Sequence, residues 1–227
     1  MPFSIVRSNS RERFGEVLIN LAFIEENEGD GESSVEVKIL RGLFYVHLYA
    51  ALERAVNETI EQTILLVKQD GVKNIHYHAA FNLISLNSRM QAFKQCGSKN
   101  YFIKSAEVFE GLRSDEIFDL SDTVFLDRLQ NIWYKTIQET LRSFGLESIN
   151  IDPRVRLTID EVVEKRNAVA HGRETPITVG ERHRSDILRK KTQEIQLVVE
   201  QFIAVFEDYI INKRYLNSQY INDYLPA

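Results

Sequence analysis

Arg166, Asn167 and His171 fall in one short stretch, Glu164-Lys165-Arg166-Asn167-Ala168-Val169-Ala170-His171-Gly172. A guanidinium is permanently charged and can hold a phosphate oxygen while negative charge develops on it. An imidazole titrates near neutrality and can give or take a proton. A carboxamide between them can orient the ring or hydrogen-bond the phosphate. On a helix, the step from Arg166 to His171 is about 7.5 Å of rise, which the long arginine side chain can close. One phosphodiester would then touch both groups. Such a pair suits RNA cleavage without a metal. The ribose 2′-OH attacks the adjacent phosphorus and leaves a 2′,3′-cyclic phosphate and a 5′-OH. DNA lacks that nucleophile. The same spacing also fits a salt-bridged arginine and a histidine that caps a helix end.

The elements around the stretch must place it. Ile159, Val162, Val163 and Ala170 form an apolar stripe at helical spacing, and Arg166 falls near its middle. A charge there needs an anionic or polar partner, and Glu53 on an earlier helix is a candidate. Asn167 and His171, four residues apart, sit one above the other on an adjoining strip. Thr158 followed by Glu161 predicts a capping box that opens a short helix from Ile159 to about His171, with Gly172 as its C-cap. Thr178 and Glu181 repeat the pattern before a final helix that runs to about Arg214. Its residues Leu188, Ile195, Phe202 and Tyr209 recur every seven positions.

Upstream, Arg11–Glu25 reads as a first amphipathic helix. Ser33 and Glu36 predict the cap of a second, long helix that ends at Asp70-Gly71. Between Ile39 and Leu52 nearly every face of it is apolar, so it should be the central helix of a bundle. Further helices are expected over Tyr77–Gln95 and Leu129–Phe144. The stretch 97–128 reads as an insertion. Its short runs, Tyr101-Phe102-Ile103 and Thr123-Val124-Phe125-Leu126, fit strands or helical turns.

Composition agrees with one all-α domain over residues 1–227. Of 227 residues, 44% are apolar and 27% charged, a globular balance. Only 10 Gly and 4 Pro serve the whole length, too few turns for a many-stranded sandwich or barrel. The single cysteine, Cys96, excludes a disulfide framework and a multi-cysteine zinc site. His76 and His78 would share a strand face, but no third ligand accompanies them, so no metal and no cofactor is expected. His47 reads as a core histidine. The most apolar stretch, Leu43–Leu52, is ten residues long, where a membrane span needs about twenty. Arg7, Arg11, Glu12 and Arg13 break any export pattern. The expectation is a soluble, cytoplasmic protein.

The net charge of −5 argues against a broad nucleic-acid surface. One region is locally basic: Lys165 and Arg173, with Arg182, Arg184, Arg189, Lys190 and Lys191 near the start of the last helix and His183 among them. It fits either a solvated helix face or a rim that tracks an RNA backbone. Lys165, Arg173, Arg182 and Arg184 are the candidate RNA contacts.

Arg-Asn-Ala-Val-Ala-His-Gly, on a short helix before the last long helix of an all-α chain, resembles the Arg-X4-6-His signature of the HEPN superfamily. The segment Leu40 to Glu53 is similar to the core helix of HEPN-like nucleases from bacterial defence loci. The resemblance covers about residues 35–213. It implies a HEPN-like helical bundle, a homodimer and a composite cleft where two motifs meet. It also implies metal-independent endoribonuclease activity, as a toxin or anti-phage defence effector restrained by an antitoxin or regulatory partner protein. Some members instead bind RNA, nucleotide or a partner without cleaving. Arg166, Asn167 and His171 are the residues carried over.

Overall fold

The computed structural model describes residues 2–29, 31–125, 129–149 and 151–225. It is 74% helical, and among the described residues the only extended pairing is an isolated bridge between Tyr77 and Leu216. The helices are α1 (Ser4–Glu26), α2 (Val35–Gln69), α3 (Asn82–Ser85), α4 (Asn87–Gln95), α5 (Tyr101–Gly111), α6 (Tyr134–Ser143), α7 (Pro153–Ala170), α8 (Pro176–Gly180) and α9 (Ser185–Ile211). The fold is all-α, as the periodicity implied.

Helix α2 is the axis, packed against α1, α7, α8 and α9. Its Phe44, Leu48, Leu52, Ala55, Ile60 and Val67 are fully enclosed. It is not apolar-packed all round, because Leu43 remains 43% exposed. The heptad residues of α9, Leu188, Ile195, Phe202 and Tyr209, all lie in the core. Helix α8 crosses α2 at backbone contact. A Cβ on Gly42 would stand 2.0 Å from the Pro176 carbonyl oxygen, and one on Gly180 would stand 1.8 Å from that of Lys38. That close approach explains a glycine in the middle of a long helix.

Three caps differ from the sequence expectation. Helix α2 is capped by Ser34, which accepts the Val37 N–H at 3.3 Å, while Ser33 accepts from Arg41. Helix α7 starts earlier, at Pro153, behind an Asp152 carboxylate that accepts the Arg154 N–H at 2.7 Å. Proline at the first helical position has no N–H to satisfy, so this start wins over Thr158. Thr158 lies inside the helix and donates to Glu194 at 2.6 Å. Thr178, expected to open the final helix, lies inside α8, which Thr175 caps. The start of α9 is capped from across the molecule: Glu28 accepts the Ser185 N–H at 3.1 Å.

The expected third helix is broken. Residues 76–78 pair instead with the C-terminal tail, the His78 N–H donating to the Tyr215 carbonyl at 2.7 Å. His76 stacks on Tyr220 at 3.8 Å, with Nδ1 2.9 Å from the Tyr224 hydroxyl, so it docks the tail. Helices α4 and α5 pack on each other, and no α4 residue is buried. Tyr101-Phe102-Ile103 is helical, with Phe102 82% exposed. Thr123-Val124-Phe125 lies in a 3-10 turn, and Leu126 lies outside the described residues. Helix α6 begins five residues later than expected, at Tyr134. The Tyr49 hydroxyl accepts the Ile132 N–H at 3.1 Å, and Asp160 accepts the Tyr134 N–H at 2.9 Å. These bonds hold the preceding residues in a loop that reaches the motif.

Candidate functional site

The motif occupies the last turns of α7. The helix ends in a Schellman arrangement: the Arg173 N–H donates to Ala168 at 2.9 Å and the Gly172 N–H to Val169 at 3.1 Å. Gly172 has φ +66°, the left-handed conformation this ending demands. His171 is the C-cap residue and is exposed. No hydrogen bond or ion pair holds its imidazole among the described residues.

Arg166 is built into the fold. Its guanidinium carbon lies 3.9 Å from the centroid of the Tyr49 ring. Nη1 donates to Asn167 Oδ1 at 2.7 Å. Nη2 reaches Glu53 Oε2 at 3.4 Å and the Gln130 carbonyl at 3.5 Å, both long contacts. The Arg166 side chain keeps 19% of its exposure. The guanidinium is thus oriented by a ring and two distant acceptors while its charge is only loosely satisfied. A phosphate can compete for those N–H groups.

Tyr49 braces the arrangement. Buried at 1% exposure, its hydroxyl donates toward Glu53 Oε1 at 3.1 Å or the Gln130 carbonyl at 3.0 Å. Burial pushes this phenol well above its ordinary range, with Glu53 acting in the same direction, so it stays protonated. Asn167 serves Arg166 rather than the imidazole: its Oδ1 takes the guanidinium and its amide donates to Asn131 Oδ1 at 3.2 Å. Only its backbone carbonyl serves His171, accepting that residue's N–H at 3.1 Å.

Sequence reading did not single out Tyr49, Gln130 or Asn131. A signal for Tyr49 exists. Arg41, Tyr45, Tyr49 and Glu53 recur every four residues on an otherwise apolar helix, which stacks them on one face.

The basic residues fare differently from one another. Arg184 is engaged by the Gly29 carbonyl at 2.9 Å and by Glu28 at 3.5 Å. Arg182 pairs with Glu174 at 2.6 Å, Arg189 with Glu25 at 2.5 Å, and Lys191 with Glu161 at 2.6 Å. Lys165 and the exposed Arg173 have no carboxylate partner among the described residues. His47 is half-buried, its Nδ1 3.4 Å from the Asn20 amide. Cys96 is a free thiol. Among the described residues, no three His, Cys, Asp or Glu side chains converge to hold a metal ion, and no helix is long and apolar enough to cross a membrane.

An all-α bundle with an arginine and a histidine on one helix is compatible with the HEPN class. The chain belongs to the RiboL-PSP-HEPN family, whose model matches residues 8–212. That span includes the stretch 97–128. No curated protein and no solved structure matches the chain significantly. HEPN domains are often ribonucleases, so membership supports a nuclease-like or RNA-binding module.

Proposed function

We propose that the protein is a metal-independent endoribonuclease that cuts RNA by 2′-OH attack, leaving a 2′,3′-cyclic phosphate and a 5′-OH. Arg166 holds the scissile phosphate and offsets the charge that builds on it. His171 accepts the 2′-OH proton or supplies a proton to the departing 5′ oxygen. Asn167 fixes the guanidinium, and Glu53 with Tyr49 holds it from behind. Lys165, Arg173 and, at the rim, Arg182 and Arg184 guide the strand. The enzyme works as a homodimer whose two motifs share one cleft. Its role is that of a cytoplasmic toxin or anti-phage effector under an antitoxin or regulatory partner.

The observation that carries this reading is the contrast between the two groups. Arg166 is pre-oriented on an aromatic face with weak counter-contacts, while the imidazole five residues further on is exposed and uncommitted. Purified protein should cleave RNA in EDTA. Cyclic-phosphate ends should be detectable by their resistance to a phosphatase until acid opens the ring. His171→Ala should lower the rate by roughly 10²–10⁴-fold without altering the melting curve.

A second reading has its own support. Glu53 already meets the Arg166 charge, as a structural arginine would require. In that case the module binds RNA, nucleotide or a partner protein without cutting. Retained RNA binding with no cleavage by wild type under any condition would decide for it.

A further inference from the structure

The α2 face that holds Arg166 through Tyr49 and Glu53 continues one turn earlier to Tyr45. There it meets a second polar cluster, whose tyrosine and histidine have no part in the proposed reaction. The Tyr45 hydroxyl and His183 Nδ1 are 2.6 Å apart. Tyr45 is 1% exposed, and burial holds its phenol well above the ordinary range, so the hydroxyl keeps its proton and donates it. A neutral His183 must then carry its own proton on Nε2. That nitrogen has no partner among the described residues.

The charges around this ring come from three elements. Glu161 on α7 places Oε1 3.6 Å from Nδ1, but its other oxygen is taken by Lys191 of α9 at 2.6 Å. Lys191 is itself 8% exposed, so this is a shielded, neutralised pair. Arg182, just before α9, is matched by Glu174. Lys165, one turn beyond Glu161 on α7, is near enough to disfavour a charge on the imidazole and has no carboxylate partner among the described residues. The remainder is one unmatched ammonium in the neighbourhood of one N–H donor fixed by a buried hydroxyl.

We propose that His183 and Lys165, with Arg182 at the edge, form a second phosphate seat that takes a backbone phosphate of the RNA strand next to the one held by Arg166. The strand assignment rests on the ribonuclease reading; the phosphate chemistry does not. Two spacings support a shared strand. Lys165 and Arg166 are consecutive on α7. Tyr45 and Tyr49, the residues beneath the two seats, are one turn apart on α2, about 6 Å of rise. That is comparable with the separation of neighbouring phosphates on a nucleic-acid strand.

The test uses the full chain and a single-stranded RNA with 2′-O-methyl groups, which cannot be cleaved. Binding is measured across a salt series for wild type, Lys165→Ala, His183→Leu and Tyr45→Phe, with melting curves for each. Lys165→Ala should reduce the slope of log K against log salt by about 0.7, the loss of one phosphate contact. His183→Leu, which has no donor, should weaken binding by roughly tenfold, the loss of one hydrogen bond to a charged group. Tyr45→Phe should act in the same direction but less, because it only releases the tautomer. AMP and inorganic phosphate form the second arm. If AMP binds as tightly as the RNA and His183→Leu abolishes it, the seat stands but serves a free nucleotide, and the strand assignment falls. If all three variants bind RNA as wild type does, even with lowered melting temperatures, the cluster is structural and the proposal is overturned; so it is if wild type binds neither RNA nor phosphate. Cleavage of ordinary RNA is scored separately. Lost binding in the variants with no cleavage by wild type keeps the seat and removes the nuclease. Cleavage with unchanged binding does the reverse.

Discussion

At 3.9 Å beneath the guanidinium carbon of Arg166, the Tyr49 ring supplies a flat face and its hydroxyl ties together Glu53, Gln130 and Ile132. Ring and hydroxyl can be separated. Tyr49→Phe keeps the ring but leaves the buried Ile132 N–H without its acceptor. The expected cost is about 1–3 kcal/mol of stability, with a further fall in RNA cleavage as the Gln130 loop loosens. Denaturant unfolding and initial rates measure the two effects; unchanged stability would mean that the hydroxyl holds nothing. His183 gives a second prediction. Burial lowers its pKa first; Lys191, Lys165 and Arg182 add to that, and Glu161 opposes it. The unfolded chain therefore binds this proton more readily than the fold does. Stability from the site is complete above about pH 6.5 and is lost as pH falls through the depressed folded value. Wild type should lose stability on acidification through that window, and His183→Gln should lose less. Identical pH profiles would remove His183 as the cause.

Helix α7 shows what a sequence can and cannot announce about an element. Its glycine stop and the buried Ile159, Val162 and Val163 were legible, because periodicity and a left-handed C-cap are local signals, whereas Ala170, read into the same stripe, is exposed. Its start at Asp152-Pro153 is a local signal too, passed over for the Thr158–Glu161 pattern, whose threonine bonds Glu194 on α9 in a contact only the fold supplies. The α9 cap was illegible: Glu28, far away in sequence, does the work that Arg184 cannot. The site divided along this line. Arg166, Asn167 and His171 share one helix and could be read from spacing. Tyr49, Gln130 and Asn131 come from elements that only the fold brings there. Two glycines test how tightly the elements are fixed. At Gly42→Ala the new methyl would meet the Pro176 backbone, which cannot swing aside like a side chain, so a loss of about 1–3 kcal/mol or more is expected in unfolding experiments. At Gly172→Ala nothing stands within 4 Å, and only the left-handed backbone is strained. There the expected loss is about 1–2 kcal/mol. A larger loss at Gly172 than at Gly42 would contradict the close α2–α8 crossing.

For the whole molecule, an acidic chain must still attract a polyanion. Net charge is −5, yet most basic side chains near the motif are already paired with carboxylates, and among the described residues Lys165 and Arg173 are left there without a carboxylate partner. Such a surface has few phosphate contacts to offer, so RNA binding should show a shallow salt dependence. Doubling the site by dimerisation would compensate, because two protomers bring two sets of cations to one strand. The proposed shared cleft makes a sharper demand. Arg166→Ala and His171→Ala each leave one essential group intact. If a cleft draws its arginine from one protomer and its imidazole from the partner, a mixed dimer of the two variants contains one complete pair. Mixing the inactive proteins under conditions that allow subunit exchange should then restore cleavage that neither shows alone, and Arg166→Ala mixed with Arg166→Ala should not. A dimer confirmed by sedimentation, with exchange demonstrated by differently labelled subunits and still no recovered activity, would place each arginine with the histidine of its own α7.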